Sequence, residues 1–245
     1  MNAPTSSVPP TVISLVPGLL CAYGAALDAS AHAHNAVQVV WPAGRSRLDL
    51  GEEGQRVDGA GVVAPGVEHR LTMAEGWVLL VEPQSGLGAR LLELLDDRPW
   101  LALDGFGPAP ADEAAALAAL RTYVGGVFEP AVDDPRINDL LRRLDACFAG
   151  TDCLKPDRWR AAEVAAGMGL SEGRFLHLFR EQVGTAWRPY LLWRRLLCAV
   201  RAMVAGESAT TAAHHAGFAD SAHLSRTFRA TFGLSIREAT AVFGR

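Results

Sequence analysis

Two stretches of this chain repeat each other, and the repeat limits what it can fold into more than any other feature. Phe179-Arg180 aligns with Phe228-Arg229, Gly184 with Gly233 and Arg188 with Arg237, each pair 49 residues apart (228 minus 179, 233 minus 184, 237 minus 188). Upstream, Ala165 aligns with Ala213 and Gly169 with Gly217 at 48, so one residue is added within the turn or cap of the second copy. The first copy reads as a short helix over Trp159–Met168, a turn at Gly169-Leu170-Ser171, and a second helix over Glu172–Gln182 that Ser171 caps and Gly184 stops. The second copy reads as a helix around Ala212-Ala213, a turn at Gly217-Phe218, a cap at Asp220 or Ser221, and a helix that carries Leu224 and Phe228 inward to Gly233. A long helix over Ala186–Ala205 joins them, and Asp134-Pro135 opens an earlier helix striped by Ile137, Leu140 and Leu144. A repeat of this kind is two helix-turn-helix units in series.

Charge divides the chain at the same place. Residues 1–154 hold 10 Arg and no Lys against 20 Asp+Glu, a net of −10; residues 155–245 hold 13 Lys+Arg against 7 Asp+Glu, a net of +6; the two sum to the −4 of the whole. An acidic front and a basic rear indicate two tasks, the rear one directed at phosphate.

The segments AAGMGLSEGRFLHLFREQVG, WRRLLCAVRAM and AGFADSAHLSRTFRATFGLSIRE resemble the AraC/XylS family of transcription regulators over about residues 136–242. Two places depart from the family pattern: Thr210-Thr211 stand in a helix that is usually more aliphatic, and Ile236-Arg237 stand where a proline is usual. The resemblance implies double-stranded DNA as partner, a homodimer, and RNA polymerase as a further partner if the protein is an activator. It also implies a cupin-like sensing barrel ahead of the helical units.

Helix geometry assigns the DNA contacts. The second helix of each unit enters a major groove with its first turns against base edges. The outward residues include Arg174, His177 and Arg180 in the first unit, and Ser221, Ser225, Arg226 and Arg229 in the second. Arg226 is the best base reader, because its fork can bind guanine twice. His177 takes the equivalent place in the first unit, whose reading helix is poor in hydrogen-bonding groups at Gly173 and Leu176, so that shape and backbone readout are expected there. Arg194, Arg195 and Arg201, on the long helix, are assigned to phosphate, with salt bridges to partners the alternative for any one of them.

The front half reads as short strands between Gly and Pro breaks: Val37–Trp41, Ser46–Leu50, Val62–Ala64 and Trp77–Glu82. His32 and His34, two apart, face one side of a strand, and Gln38 follows at even spacing. His69 comes after the turn at Pro65-Gly66. The set resembles the two cupin motifs, His-x-His with a carboxylate three or four residues on, then a Pro-x-Gly-like turn followed by His, with Gln38 in the place of the carboxylate. These residues form the ligand-binding candidate, with Trp41 and Trp77 as cavity walls or core. His32, His34 and His69 are candidate ligands of a divalent transition metal; an organic ligand and purely structural histidines are the other readings.

Gly88–Asp96 reads as a helix, and a second, capped by Asp112, runs to Phe128 with a stripe of Leu117, Leu120, Val124 and Val127 that either covers the barrel or joins two subunits. The expected fold is α+β in two domains: a cupin-like antiparallel β-barrel sensor over 1–98, a helical linker and dimer helix over 99–133, and an all-α DNA-binding domain with two helix-turn-helix units over 134–245. No apolar stretch reaches the roughly 18 residues of a membrane span. The N-terminus lacks a basic head and apolar core, so a cytoplasmic protein with reduced thiols at Cys21, Cys147, Cys153 and Cys198 is expected. The function expected is a sequence-specific transcription regulator that senses a small ligand or metal ion, and not an enzyme. A cupin-type metal-dependent enzyme with a helical appendage is the alternative, opposed by Gln38 and by the doubled unit; an adaptor with degenerate DNA contacts is a third class.

Overall fold

The computed structural model describes residues 12–51, 59–110, 112–126, 131–149 and 159–243, the side chains of 147–149 excepted. Its front half is a mixed-length antiparallel sheet: β1 (Val12–Val16), β2 (Leu19–His32), β3 (Val37–Pro42), β4 (Ser46–Leu50), β5 (Gly61–Val63), β6 (His69–Val81) and β7 (Trp100–Ala102). The order is β1-β2-β6-β3-β5-β7, with β4 also on β6. Strand β6 organises the sheet. One edge pairs with β2 throughout; the other pairs with β4 from His69 to Met73, then with β3 from Gly76 to Val81. The change of partner falls at Gly76, whose φ is +152° and where a Cβ would lie only 2.5 Å from Trp41 O, so only glycine fits.

The sheet is not closed, contrary to the barrel expected. Its outer strands β1 and β7 do not pair with each other. The strand β7 extends it past residue 98, into the stretch expected to be a helical linker. A barrel closes so that strands cover each other's inner face; here helices cover both faces. On one face Cys21, Tyr23, Val39, Trp41, Trp77 and Leu79 pack against α1 (Gly86–Leu95) and α2 (Glu113–Tyr123). On the other, Leu20, Ala22, Val40, Val78 and Leu80 join the core of the C-terminal helices. Both faces being dry explains why the strands read as apolar runs without clean alternation.

Of the stripe on α2, Leu120 and Val124 are buried against the sheet and Leu117 packs on the same cluster. Val127 and Phe128 lie outside the described residues. Cys21 is a buried free thiol, and Cys198 is disulfide-bonded where reduced thiols were expected. Cys153 and the side chain of Cys147 lie outside the described residues. Among the described residues no helix is long and apolar enough to cross a membrane.

The rear half is α3 (Pro135–Ala149), α4 (Ala161–Gly167), α5 (Glu172–Val183), α6 (Trp187–Val204), α7 (Ala209–His215), α8 (Ser221–Phe232) and α9 (Ile236–Phe243). The repeat is visible in its caps. Ser171 Oγ accepts from Arg174 N at 3.3 Å and Asp220 Oδ1 from His223 N at 2.6 Å, while Gly184 and Gly233 end α5 and α8 with φ of 79° and 68°. Phe175, Phe179, Trp187 and Tyr190 pack as one aromatic cluster, and Trp187 Nε1 donates to Trp159 O at 3.1 Å.

A buried polar cluster fastens the halves together. Glu82, just past β6, accepts from Trp193 Nε1 at 3.1 Å and from Gln84 Nε2 at 2.6 Å, and faces the Arg194 guanidinium at 3.5 Å. Arg194, 2% exposed, also donates to Asp145 Oδ1 at 2.7 Å. Burial raises the Glu82 carboxyl above its ordinary pKa, with Arg194 pulling it back. Removing one partner of such a pair leaves the other uncompensated. Arg194→Ala is therefore expected to destabilise the chain by about 3–5 kcal/mol in urea unfolding. A loss below about 1 kcal/mol, the level of an exposed pair, would show that the cluster does not fasten the halves.

Candidate functional site

The expected histidines meet. His32 ends β2 and pairs in register with His69 at the start of β6, His34 follows in the connection to β3, and Gln38 lies on β3. All four are buried. Each imidazole is held from behind: Nδ1 lies 2.7 Å from Ser30 O for His32, 3.1 Å from Ala36 O for His34 and 2.9 Å from Val67 O for His69. A carbonyl only accepts, so each Nδ1 carries the proton and each Nε2 presents a lone pair. The three histidines bring one ring nitrogen each within 4.8 Å of the others. Burial pushes His32 and His34 down to about 4 and also lowers His69; the His69 ring further depresses His32, and both depress His34, so the neutral imidazole is favoured at pH 7.

Gln38 completes the group. Its Oε1 lies 2.9 Å from His34 Nε2 and 3.3 Å from His69 Nε2, while its Nε2 is buried without a partner. Oxygen facing two lone pairs makes no hydrogen bond. Either the amide turns its NH₂ toward the imidazoles, or a cation sits among the oxygen and the nitrogens. The donor set of three neutral imidazoles and a carbonyl oxygen suits a divalent transition metal, without the anionic ligand that a carboxylate would add.

His32, His34 and Gln38 also form the polar end of a cavity of about 140 Å³. The rest is apolar apart from Thr240 and has two owners. Leu20, Val78 and Leu80 come from the sheet; Met203 of α6, Phe232 of α8 and Phe243 of α9 come from the rear half. The closest link between the halves is at this polar end. Gly233 O accepts from Ser30 N at 2.9 Å and from Ser30 Oγ at 2.7 Å, and a Cβ on Gly233 would lie 2.3 Å from Ser30 O and 2.6 Å from His32 Nδ1.

Two expected ligand residues are elsewhere. Trp41 and Trp77 are register partners on the opposite face, and their Nε1 atoms donate to Gly107 O and Pro110 O. Residues two apart on a strand share a face, but both tryptophans sit at the parity opposite to Gln38 and Val78.

On the DNA side, Arg174, His177 and Arg180 are exposed on α5, and Ser225, Arg226 and Arg229 on α8, with Ser221 half-buried at its start. Arg229 Nη1 lies 3.8 Å from a Glu238 carboxylate oxygen. Arg194 is withdrawn from phosphate by burial, the salt-bridge alternative, and Arg195 is half-buried. Arg194 is in the buried cluster; Arg195 donates to Ala216 O and Gly217 O and lies over the Phe218 ring, bracing the second turn. Their positions on α6 point inward, which spacing from the long helix alone does not reveal.

The element missed from sequence is α9, which supplies Ile236, Ala239 and Phe243 to the cavity. Its signal is a capping box, Ser235-Ile-Arg-Glu238: Ser235 N donates to Glu238 Oε2 at 2.6 Å and Glu238 N to Ser235 Oγ at 3.2 Å.

Residues 164–241 match a family model described as a helix-turn-helix domain. The C-terminal region is thus a helix-turn-helix domain. Over nearly its whole length the chain is similar to crystal structures of ToxT from Vibrio cholerae. An apo variant aligns with a TM-score of 0.53 at 12% identity, covering 92% of this chain and 98% of that one. The unsaturated fatty acid bound wild type aligns at 0.51 and 12%, covering 93% and 96%. A ToxT bound to (E)-4-(8-methylnaphthalen-1-yl)but-3-enoic acid aligns at 0.50 and 12%, covering 94% and 96%. At such identity the likeness is one of fold. Comparison with curated proteins by sequence finds no match.

The lowered histidine pKa values carry a sign. Below about 6.5 the unfolded chain binds protons that folded His32 and His34 refuse until about pH 4. Stability should therefore be flat in these groups above pH 6.5 and fall as pH drops from 6.5 to 4, by on the order of 1.4 kcal/mol per pH unit for each histidine. Urea unfolding of the wild type against His32→Gln/His34→Gln measures this. An equal slope in the double variant would assign the acid sensitivity to other groups.

Proposed function

We propose that this chain is a sequence-specific DNA-binding transcription regulator whose response is set by a small effector lodged between the sheet and the rear helices. The observation that carries the reading is the double ownership of the cavity: its walls come from the sheet and from α6, α8 and α9, and α8 is the second reading helix. An occupant that prefers one arrangement of these parts biases the helix that faces DNA, which is the condition for regulation by a ligand. Catalysis has no place in this reading. The basic rear half, the exposed arginines of α5 and α8, and the fold shared with ToxT support it. Action on chromosomal DNA implies the cytoplasm. A homodimer remains part of the proposal, joined by a surface other than the α2 stripe, and contact with RNA polymerase accompanies activation.

The first reading of the effector is an amphipathic organic molecule. The cavity is apolar with one polar end, and ToxT structures of the same fold hold an unsaturated fatty acid and an aryl-butenoic acid. No Lys or Arg is among the residues that line it, so an acid head group would meet neutral imidazoles and the Gln38 amide. The second reading, a divalent transition metal held by His32, His34 and His69, is favoured by one specific observation: the three Nδ1 atoms face backbone carbonyls and leave the Nε2 lone pairs convergent. The metal would there act as a structural cross-link between β2 and β6.

Gel shift with the full-length chain tests DNA binding. Affinity should fall steeply with salt, with a log–log slope of about −0.9 for each phosphate neutralised. Arg226→Ala should cost about 1–3 kcal/mol on the best site and relax one base position. A flat salt response removes the DNA-binding reading; a uniform loss on every sequence removes Arg226 as a base reader.

Two variants separate the effector readings, because His69 is not among the residues that line the cavity and Met203 is not among the convergent imidazoles. Met203→Trp should abolish thermal stabilisation by an unsaturated fatty acid and preserve stabilisation by Zn²⁺, if both bind. His69→Ala should do the reverse. Stabilisation of the wild type by neither probe would place the effector site elsewhere.

A further inference from the structure

The reading helix of the first unit displays a large apolar side chain to solvent. Among the described residues only Val16, Tyr123, Leu176 and Val204 are large hydrophobics in that state, and Leu176, 37% exposed, lies on α5. Its neighbours Phe175, Leu178 and Phe179 are in the core, so Leu176 is not part of the inward stripe. At a helical spacing of 3.6 residues per turn, Gly173, Leu176, His177 and Arg180 share one face. All four are exposed. The repeat matches them with Ala222, Ser225, Arg226 and Arg229 of α8, again 49 residues on (222 minus 173, 225 minus 176, 226 minus 177, 229 minus 180). The two helices thus present the same face with different chemistry. The face on α8 offers a hydroxyl and two guanidiniums. The face on α5 offers an isobutyl group, an imidazole and one guanidinium.

Gly173 lies one turn before Leu176, and a Cβ placed there would meet nothing within 4 Å. The start of this face is therefore bare backbone, which lets the helix approach another surface closely. Of the exposed charges around it, Arg180 lies one turn after Leu176, Glu172 one turn before it and Arg174 beside Gly173. An apolar group on a helix face that can come close, with arginines on either side along the helix, fits one feature of the major groove. Thymine carries a C5 methyl group at the groove floor, and the phosphates lie at its rims.

We propose that Leu176 is a specificity-determining residue that selects thymine by packing on its 5-methyl group, so that the first unit reads sequence by apolar contact where the second reads it through Arg226. The proposal rests on the DNA-binding reading and adds a base preference to it. It adds one apolar base contact to the shape and backbone readout expected of the first unit.

The test uses the full-length chain and duplexes selected from a random pool. Each thymine of the selected site is replaced in turn by uracil, which removes the methyl group and leaves the pairing edge intact. One position should lose about fourfold in affinity with the wild type, the cost of exposing one apolar carbon. Leu176→Ser, which installs the residue found at the matching place on α8, should bind thymine and uracil alike at that position. It should keep the guanine preference that Arg226→Ala relaxes. Because Leu176 is exposed, circular dichroism should show both proteins equally folded. No uracil effect at any position, or an equal effect in Leu176→Ser, overturns the proposal while leaving DNA binding in place. A change of oligomeric state in Leu176→Ser without a change in base preference also overturns it, and assigns the side chain to a second copy of the chain. Failure to enrich any sequence removes the DNA-binding reading, and this inference with it.

Discussion

The structure depends on one face of the sheet being covered by the rear helices. Leu20, Ala22, Val78 and Leu80 form an apolar surface that α1 and α2, on the opposite face, do not reach. Burial against α6, α8 and α9 removes that surface from water, and the hydrophobic effect sets the docking without fixing its register. Register comes from directional contacts. Gly233, the C-cap of α8, turns its carbonyl onto the N–H and hydroxyl of Ser30, and its missing side chain leaves room for Ser30 O and the His32 ring. Ser30 O in turn faces His32 Nδ1. The end of a reading helix is thus two hydrogen bonds from the histidine cluster.

The second fastening is electrostatic and lies at the other end of β6. Glu82 is held by Trp193, Gln84 and Arg194, and Arg194 by Asp145 on α3. A buried ion pair of this kind adds little to stability beyond an apolar replacement, because desolvation offsets the attraction. Separating it is costly, however. The cluster therefore penalises arrangements in which α6 leaves the strand end. The rear half is thus held at both ends of β6, by the ion pair at one and by Gly233 on Ser30 at the other.

The helical half was legible because its signals are local. Turn glycines, N-caps and inward stripes occupy fixed positions in two copies, and each copy checks the other. The four-residue site was legible for a similar reason: period-two spacing puts His32 and His34 on one side, and the turn before His69 returns the chain to pair with β2. Closure of the barrel was not legible, since strands covered by helices and strands covered by other strands have the same apolar runs. The tryptophans are core, one of the two roles open to them, because a side chain one residue out of step with Gln38 or Val78 lies on the other face of the sheet. The helix α9 went unread although Ser235 and Glu238 mark its start, because eight residues past a strong glycine stop resemble a tail.

By itself the sequence determined two helix-turn-helix units, a basic rear behind an acidic front, the exposed arginines of the reading helices, and a cluster of three histidines with Gln38. These rest on spacing along the chain and on the fixed periods of helix and strand. Only the tertiary structure decided that Arg194 and Arg195 point inward, that the sheet stays open, and that the cavity belongs to both halves. Each of these depends on which surface lies against which. That is a contest among burial, desolvation and hydrogen bonding across residues more than 100 positions apart, as between Glu82 and Arg194, and no local pattern records its outcome.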